Sequence, residues 1–159
     1  MATALGNLSE YNADALPDGS PFKIHLVVSE WNNNITEALL QGAQTTLVQL
    51  GVRPEHLKIW KVPGSFELVY GCKRMIKTLQ LDAIIAIGNV IQGETKHFDF
   101  VCNGVTQGIV DLNVKHDTPI IFCVLTDNTK QQSIDRSGGK YGNKGIESAI
   151  AAIKMASLS

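Results

Sequence analysis

Apolar segments and amphipathic helical segments alternate four times along this chain, and this alternation restricts its fold more than any other feature. Each apolar segment has the character of a strand, and a segment with apolar positions three or four residues apart follows it. The third apolar segment is continuous, as is typical of a strand covered on both faces. Strands joined by helices form parallel sheets with right-handed crossovers, so the sequence predicts a three-layer α/β/α fold around a four-stranded parallel sheet. The predicted strands cover residues 24–28, 57–62, 83–87 and 119–125.

Some helix boundaries can also be predicted. The first helix has apolar residues at regular spacing from Ile35 to Leu50. Asn34 and Glu37 are spaced as in a capping box at its start. Many helices end at a residue with a left-handed backbone conformation, which glycine adopts easily, so Gly51 is predicted to end this helix.

The C-terminal part is predicted to contain two helical pieces. The first runs from Thr129 to Arg136, and the second has Ile146, Ile150 and Ile153 on its apolar side. Residues 138–143 between them are predicted to form a flexible glycine-rich turn. At the other end, polar residues 1–20 are predicted to form an arm, either disordered or packed on a neighbouring subunit, whereas residues 21–159 form a single α/β domain.

Composition excludes several classes of protein. The chain has 14 Lys and Arg residues and 15 Asp and Glu residues, and no stretch of it is predominantly basic. We therefore expect no nucleic-acid partner. No apolar run approaches the roughly 18 residues of a membrane helix, and residues 1–20 do not resemble a signal peptide. Cys72, Cys102 and Cys123 are widely spaced in apolar segments, which predicts buried reduced thiols and a cytoplasmic location. Motifs for nucleotide cofactors and for zinc are missing, which is evidence against a nucleotide cofactor and against a zinc site.

Ligands in open parallel sheets bind beyond the carboxyl ends of the strands, so the connections that follow the strands are the candidate sites. In the first connection, residues 29–34, Trp31 could stack on a flat heteroaromatic ring or fold back over the edge of the sheet. In the second, residues 62–67, Ser65 is positioned to cap the next helix and Glu67 suits its first turn. Considered alone, this second segment favours structural roles for both residues.

The third connection, residues 88–97, is polar and leads into the N-terminus of a helix. Exposed N–H groups there, with Gly93 allowing close approach and Thr95 adding a hydroxyl, could hold an anion such as phosphate. His97 could transfer protons near neutral pH or simply cap the helix at the surface.

Cations flank the glycine-rich turn near the C-terminus. Arg136 ends one helical piece, Lys140 lies in the turn and Lys144 begins the next helix. Such cations suit a phosphate or a polyol, although charges in a surface turn are often only solvated.

Three segments of the chain resemble the lumazine synthase family: residues 62–67, 93–99 and 134–145, in that family's order and spacing. The resemblance extends over about residues 22–155. It implies a flavodoxin-like sheet, assembly into pentamers and a reaction without metal or organic cofactor. In that reaction, 5-amino-6-(D-ribitylamino)uracil condenses with 3,4-dihydroxy-2-butanone 4-phosphate to give 6,7-dimethyl-8-ribityllumazine, phosphate and water.

The resemblance also implies roles for matching residues. Trp31 corresponds to the aromatic residue that stacks on the pyrimidine, and the backbone groups of Val90 and Ile91 would contact the pyrimidine edge. The ribityl side of the site would be formed by Ser65, Phe66 and Glu67.

Other matching residues concern the phosphate and the proton transfers. His97 corresponds to the proposed proton-transfer residue. Phe122 and Lys144 correspond to positions that reach the site from the adjacent subunit, with Arg136 alongside them. The butanone phosphate would be held by Gly93, Glu94, Thr95 and Arg136.

The chain departs from the family pattern at a few positions. Gln92 stands where the family commonly has Arg, which shifts phosphate binding toward Arg136 and the helix terminus. Asn89 and Cys123 occupy positions that other small residues usually hold. Trp31 is a less common choice, and its wide indole could stack strongly on lumazine-like or riboflavin-like rings.

The resemblance has further implications for assembly. The turn at residues 138–144 lacks the extra residues of members that stop at pentamers, which makes a sixty-subunit shell of twelve pentamers the alternative to a single pentamer. Riboflavin synthase is a candidate partner beyond the two small-molecule substrates.

Two other functions fit this fold class. A flavin-binding carrier would need no proton-transfer residue, so the set of Thr95, His97 and Arg136 favours an enzyme. A response-regulator-like module would need clustered acidic residues at the strand ends to hold Mg²⁺, and the third strand ends in Gly88 and Asn89 instead.

Overall fold

The computed structural model describes residue 7 and residues 9–158, and its centre is a four-stranded parallel sheet. The strand order is β2-β1-β3-β4, and all three ladders are parallel. This flavodoxin-like order confirms the predicted sheet. The strands are β1 (Ile24–Ser29), β2 (Ile59–Val62), β3 (Ala83–Ile91) and β4 (Ile120–Asp127).

Helices cover both faces of the sheet. They are α1 (Asn33–Gln49), α2 (Leu68–Thr78), α3 (His97–Lys115), α4 (Lys130–Arg136) and α5 (Lys144–Ala156). Helices α1 and α5 pack on one face, and α2 and α3 pack on the other. Side chains of β1 alternate between the two cores, since Leu26 and Val28 face α1 and α5 whereas Val27 faces α2 and α3. The predicted α/β/α layering is confirmed.

The predicted boundaries of α1 are correct at its end but not at its start. The helix follows Asn32 directly, and the φ of 58° at Asn32 is left-handed. The capping box predicted for Asn34 and Glu37 is wrong, because both lie inside the helix and Glu37 pairs with Lys61 of β2 instead. The predicted stop is confirmed, since Gly51 follows the helix with a φ of 99°.

The C-terminal region differs from the prediction in two details. The glycine-rich turn is a small antiparallel hairpin of β5 (Ser137–Gly139) and β6 (Gly142–Asn143). In α5, the predicted apolar side is confirmed at Ile153, which is buried, and at Ile150, which is half-buried against the same core, whereas Ile146 is half-buried outside that cluster. Small side chains instead let α5 pack closely against α1 and the sheet. The apolar and glycine positions buried in α5 are Gly145, Ala149, Ala152, Ile153 and Ala156.

The described part of the arm lies on its own domain. Tyr11 Oη donates to Gln49 Oε1 at 3.2 Å, and the N–H of Gly19 donates to the carbonyl of Leu50 at 2.8 Å. The division into arm and domain at residue 20 stays a prediction.

Within residues 9–158, no helix is both long and apolar enough to cross a membrane.

Candidate active site

Strand β3 is longer than predicted and forms the floor of a cleft. Its ladder with β1 ends at the pair Val28–Ile87, whereas its ladder with β4 continues to the pair Ile91–Asp127. Residues 88–91 were predicted to lie in a connection, and they are strand residues that extend past the end of β1. Backbone groups on such an open edge are available to side chains or to a ligand.

A cleft of about 600 Å³ lies at this edge, beyond the carboxyl ends of β1, β2 and β3. The chain leaves β1 toward β2 on one side and leaves β3 toward β4 on the other, and open α/β sheets bind ligands at this kind of switch point. The start of α3 forms the opposite wall. The predicted site residues that line the cleft are Trp31, Ser65, Phe66, Glu67, Val90, Ile91, Gly93, Thr95 and His97.

Trp31 lies in the connection between β1 and α1. Its backbone N–H donates to the carbonyl of Pro63 at 3.1 Å, which ties this connection to the one after β2. The residue is 72% exposed, which does not fit an indole folded over the edge of the sheet. The indole is therefore an exposed aromatic surface at the cleft.

Ser65 is buried, and it does not cap α2. Its Oγ donates to the backbone carbonyl of Asn89 at 3.3 Å, and α2 begins only at Leu68. The predicted capping role is wrong because the hydroxyl is directed across to β3. Gly88 leaves room for it, since a Cβ there would lie 2.6 Å from Ser65 Oγ. The hydrogen bond of Ser65 therefore connects the segment after β2 with β3 at the floor of the cleft.

Phe66 and Glu67 form the wall on the α2 side. Phe66 is 57% exposed, and its ring lies against Gly104 of α3, where a Cβ would come within 2.7 Å of it. The Glu67 carboxylate folds toward Gly64, with Oε2 at 2.9 Å from the position of a Cβ there. This wall therefore combines an aromatic ring with a carboxylate that can accept hydrogen bonds from hydroxyl groups.

His97 is the first residue of α3, and its exposed side chain borders the cleft. Its backbone N–H donates to Thr95 Oγ1 at 3.3 Å, so the threonine satisfies one of the free N–H groups of the helix start. A Cβ at Gly93 would meet nothing within 4 Å, which leaves open space beside this terminus. The imidazole and the loop before it border the same cleft as Trp31.

Other predicted site residues lie outside this cleft. Glu94 is exposed on the loop, and Phe122 packs against the core between the sheet and helices α2 and α3. The Arg136 guanidinium lies over an aromatic ring of the adjacent hairpin, and Lys144 pairs with a glutamate of its own helix. Within the described chain, none of these residues lines the cleft.

Sequence reasoning missed several residues that line the cleft: Asn32, Gly64, Asn89, Phe98, Phe100 and Val101. Phe98 and Val101 lie on the apolar face of α3, where hydrophobic residues recur three or four positions apart. Farther along that face Val105 and Ile109 are buried, whereas Phe98 and Val101 are only half-buried and border the cleft. Hydrophobic periodicity identifies the apolar face of a helix, but it does not show which turns of the helix extend beyond the edge of the sheet.

The cysteines do not provide a reactive thiol here. Burial raises the pKa of Cys72 to about 12 and that of Cys123 to about 11, and burial also raises the pKa of Cys102. All three are unpaired, although Cys102 is half-buried rather than buried as predicted. Thiols with raised pKa values are poor nucleophiles near neutral pH. Within residues 9–158, no group of three or more His, Cys, Asp or Glu side chains could hold a metal ion.

The fold and the cleft define a class of protein, the flavodoxin-like α/β proteins with a small-molecule site at the carboxyl edge of the sheet. Comparison with known proteins specifies it further. The family model for 6,7-dimethyl-8-ribityllumazine synthase matches residues 21–159. A 6,7-dimethyl-8-ribityllumazine synthase from Christiangramia forsetii is 62% identical over 99% of this chain and 95% of its own length. A protein of the same name from Flavobacterium johnsoniae is 62% identical over 98% of this chain and 82% of its own length. One from Parabacteroides distasonis is 57% identical over 100% of this chain and 99% of its own length.

The chain therefore belongs to the 6,7-dimethyl-8-ribityllumazine synthase family, as its three sequence segments predicted. It is a transferase of riboflavin biosynthesis that condenses 5-amino-6-(D-ribitylamino)uracil with 3,4-dihydroxy-2-butanone 4-phosphate.

Proposed function

We propose that the cleft at the carboxyl edge of the sheet is where the two substrates of this reaction meet. The observation that supports this proposal is that Trp31, His97 and the loop at the start of α3 border one cleft rather than separate pockets. The condensation needs an aromatic surface for the pyrimidine, a group that transfers protons and a site for a phosphate. Stacking rings, imidazoles and helix N-termini supply these three functions.

The pyrimidine stacks on Trp31 and forms hydrogen bonds with the backbone of Val90 and Ile91. These two residues lie where β3 continues past the end of β1. The ribityl chain lies along the wall formed by residues 65–67. Glu67 accepts hydrogen bonds from ribityl hydroxyls, and Ser65, whose proton is directed to β3, contributes an acceptor oxygen.

The butanone phosphate binds at residues 93–95, where free backbone N–H groups and the helix dipole favour an anion. Gln92 adds no charge beside this site, so the positive charge comes from Arg136. Since Arg136 does not line the cleft of its own subunit, an adjacent subunit supplies it together with Phe122 and Lys144.

His97 transfers the protons of the reaction. The 5-amino group of the pyrimidine substrate attacks the ketone and forms an imine with loss of one water. Phosphate then leaves by β-elimination, and ring closure by the ribityl-bearing nitrogen releases a second water. Each step needs a proton moved, and an imidazole can donate and accept protons near neutral pH. No lysine nucleophile is needed, because the substrate supplies the amine. Holding two substrates side by side accelerates the condensation further.

The assembly is a homopentamer or a sixty-subunit shell of twelve pentamers. A composite cleft requires an adjacent subunit, and large apolar side chains are exposed near the cleft and along α2 and α3, as expected of an interface. They include Phe66, Tyr70, Phe100, Val110 and Val114. Unpaired cysteines favour a cytoplasmic location, and binding to riboflavin synthase stays a prediction.

Replacing His97 tests the proposed chemistry. We expect His97→Ala to lower turnover by about ten- to a thousandfold, with little change in the KM of either substrate, since the imidazole moves protons rather than binding substrate. Product formation is followed by absorbance and fluorescence after mixing both substrates. His116→Ala, at the opposite end of α3, is the matched control and should retain full turnover. Full turnover in His97→Ala would remove His97 from the mechanism.

A further inference from the structure

The side chain of Asn89 has no part in the roles proposed above. Asn89 lies in β3 at the floor of the cleft and is 1% exposed. Its Nδ2 donates to Ser133 Oγ of α4 at 2.9 Å, and Ser133 Oγ donates to Asp127 Oδ2 at the end of β4 at 2.8 Å. All three residues are buried. A buried line of hydrogen bonds therefore connects the floor of the cleft with α4 and β4.

The single hydroxyl proton of Ser133 determines how the amide of Asn89 is oriented. Ser133 donates its hydroxyl hydrogen to the Asp127 carboxylate, so toward Asn89 its oxygen can only accept, and Asn89 Nδ2 donates that hydrogen bond. The amide nitrogen therefore faces α4, and Oδ1 is turned away from it. Among the residues that the structure describes, Oδ1 has no hydrogen-bond partner. The hydrogen bond from Nδ2 to Ser133 is therefore the contact through which this side chain acts on α4.

The backbone of Asn89 contacts the other walls of the cleft. Its carbonyl accepts hydrogen bonds from Asn32 Nδ2 and from Ser65 Oγ, each at 3.3 Å. Asn32 precedes α1, and Ser65 precedes α2. One residue therefore anchors the connections after β1 and β2 through its backbone and anchors α4 through its side chain.

Helix α4 also carries Arg136, one turn beyond Ser133. Arg136 Nη1 donates to the carbonyl of Gln132 at 3.0 Å, and its guanidinium carbon lies 5.0 Å from the centre of the Tyr141 ring. These contacts hold the side chain against its own helix and the neighbouring hairpin. A displacement of α4 would therefore displace the guanidinium.

We propose that Asn89, through Ser133, is a positioning residue that sets the placement of Arg136 and thereby the affinity for the phosphate-bearing substrate. The proposal rests on the phosphate-binding role proposed for Arg136. The ligand group concerned is a phosphate monoester, and the pyrimidine substrate carries none.

Steady-state kinetics of full-length variants test this role. We expect Asn89→Ala and Ser133→Ala each to raise the KM for the butanone phosphate about three- to thirtyfold, with the KM for the pyrimidine changed less than about twofold. Ser133→Thr keeps the hydroxyl and should restore the original value. Because both alanine variants remove the same hydrogen bond, the double variant should raise this KM no further than one single variant does.

The Arg136→Ala variant distinguishes a failure of the proposed phosphate site from a failure of the positioning role of Asn89. An unchanged KM for the butanone phosphate in that variant would overturn the proposed phosphate site and the positioning role with it. A raised KM in Arg136→Ala, with unchanged values in Asn89→Ala and Ser133→Ala, would overturn the positioning role alone. Equal increases for both substrates in the alanine variants would also overturn it, since they indicate a general loss of structure. If Asn89→Ala does not fold, the comparison of Ser133→Ala with Ser133→Thr decides the question.

Discussion

Individual polar side chains shape the cleft by bonding across the sheet. The carbonyl of Asn89 lies on the edge of β3 that extends past β1, and it receives hydrogen bonds from Ser65 and Asn32 in place of a neighbouring strand. A buried carbonyl without partners would destabilise the protein, so these side chains are needed for the long strand as well as for the walls of the cleft.

His25 should make the stability of the protein depend on pH. It is buried in β1, its Nδ1 accepts the backbone N–H of Lys58 at 3.3 Å, and burial lowers its pKa below the ordinary 6.5. The unfolded chain therefore binds this proton more readily than the folded chain. This contribution to stability is complete above the ordinary pKa and decreases as the pH falls below it.

Urea denaturation at about pH 7.5 and about pH 5.5 measures this effect. We expect the free energy of unfolding of the native protein to be lower at the acidic pH. His25→Asn should be less stable overall and should show a weaker dependence on pH across this range. The same pH dependence in both proteins would show that other groups cause it.

At the scale of elements, unequal strand lengths create the site. Strand β3 continues to Ile91, whereas its last pair with β1 involves Ile87, and the cleft occupies the space beyond β1. Helix α3 then begins at His97, so its free N–H groups lie at the same edge as the floor. Strand, loop and helix terminus together form a site that none of them contains alone.

Gly51 ends α1, and replacing it should destabilise the fold. Its φ of 99° is unfavourable for other residues, and a Cβ there would lie 2.8 Å from Asp18 Oδ1. We expect Gly51→Ala to lower the free energy of unfolding by about 1 kcal/mol or more, measured by urea denaturation. Gly93→Ala is the matched control, because its Cβ would meet nothing within 4 Å, and its stability should change by less than about 0.5 kcal/mol. Equal losses in both variants would contradict the role of Gly51.

At the scale of the whole molecule, the proposed function places the site between two subunits. The cleft of the described chain contains an aromatic surface, an imidazole and a helix terminus, whereas Arg136, Phe122 and Lys144 lie elsewhere on the same chain. In a closed ring with head-to-tail interfaces, each subunit can offer its cleft to one neighbour and its α4 region to the other.

Mixing two impaired variants, assayed at a butanone phosphate concentration below the KM of Arg136→Ala, tests this arrangement. His97→Ala and Arg136→Ala should each be weakly active alone, and joint refolding of equal amounts should give about a quarter of native activity. That fraction is expected because a quarter of randomly formed interfaces combine an intact cleft with an intact Arg136. Analytical ultracentrifugation of the same samples reports whether they form pentamers or sixty-subunit shells.

The control is a mixture of His97→Ala with Thr95→Ala. Both residues belong to the same side of the interface, so every cleft in this mixture keeps one defect and no activity should return. Recovery in the control, or none in the first mixture, would contradict a site shared between subunits.

Local spacing was sufficient to predict the order of strands and helices and their layering, because burial on one face or both faces imposes a period that a sequence displays directly. It did not show that β3 extends to Ile91 or that residues 137–143 form a hairpin. The segments at 62–67, 93–99 and 134–145 were sufficient to indicate the family. Contacts between distant residues required the folded chain. Ser65 was predicted to cap a helix, and its hydroxyl instead bonds to Asn89, whose amide bonds in turn to Ser133. Such pairs depend on how far each strand extends and on which helix lies over its end, and neither is encoded in the spacing around a single residue.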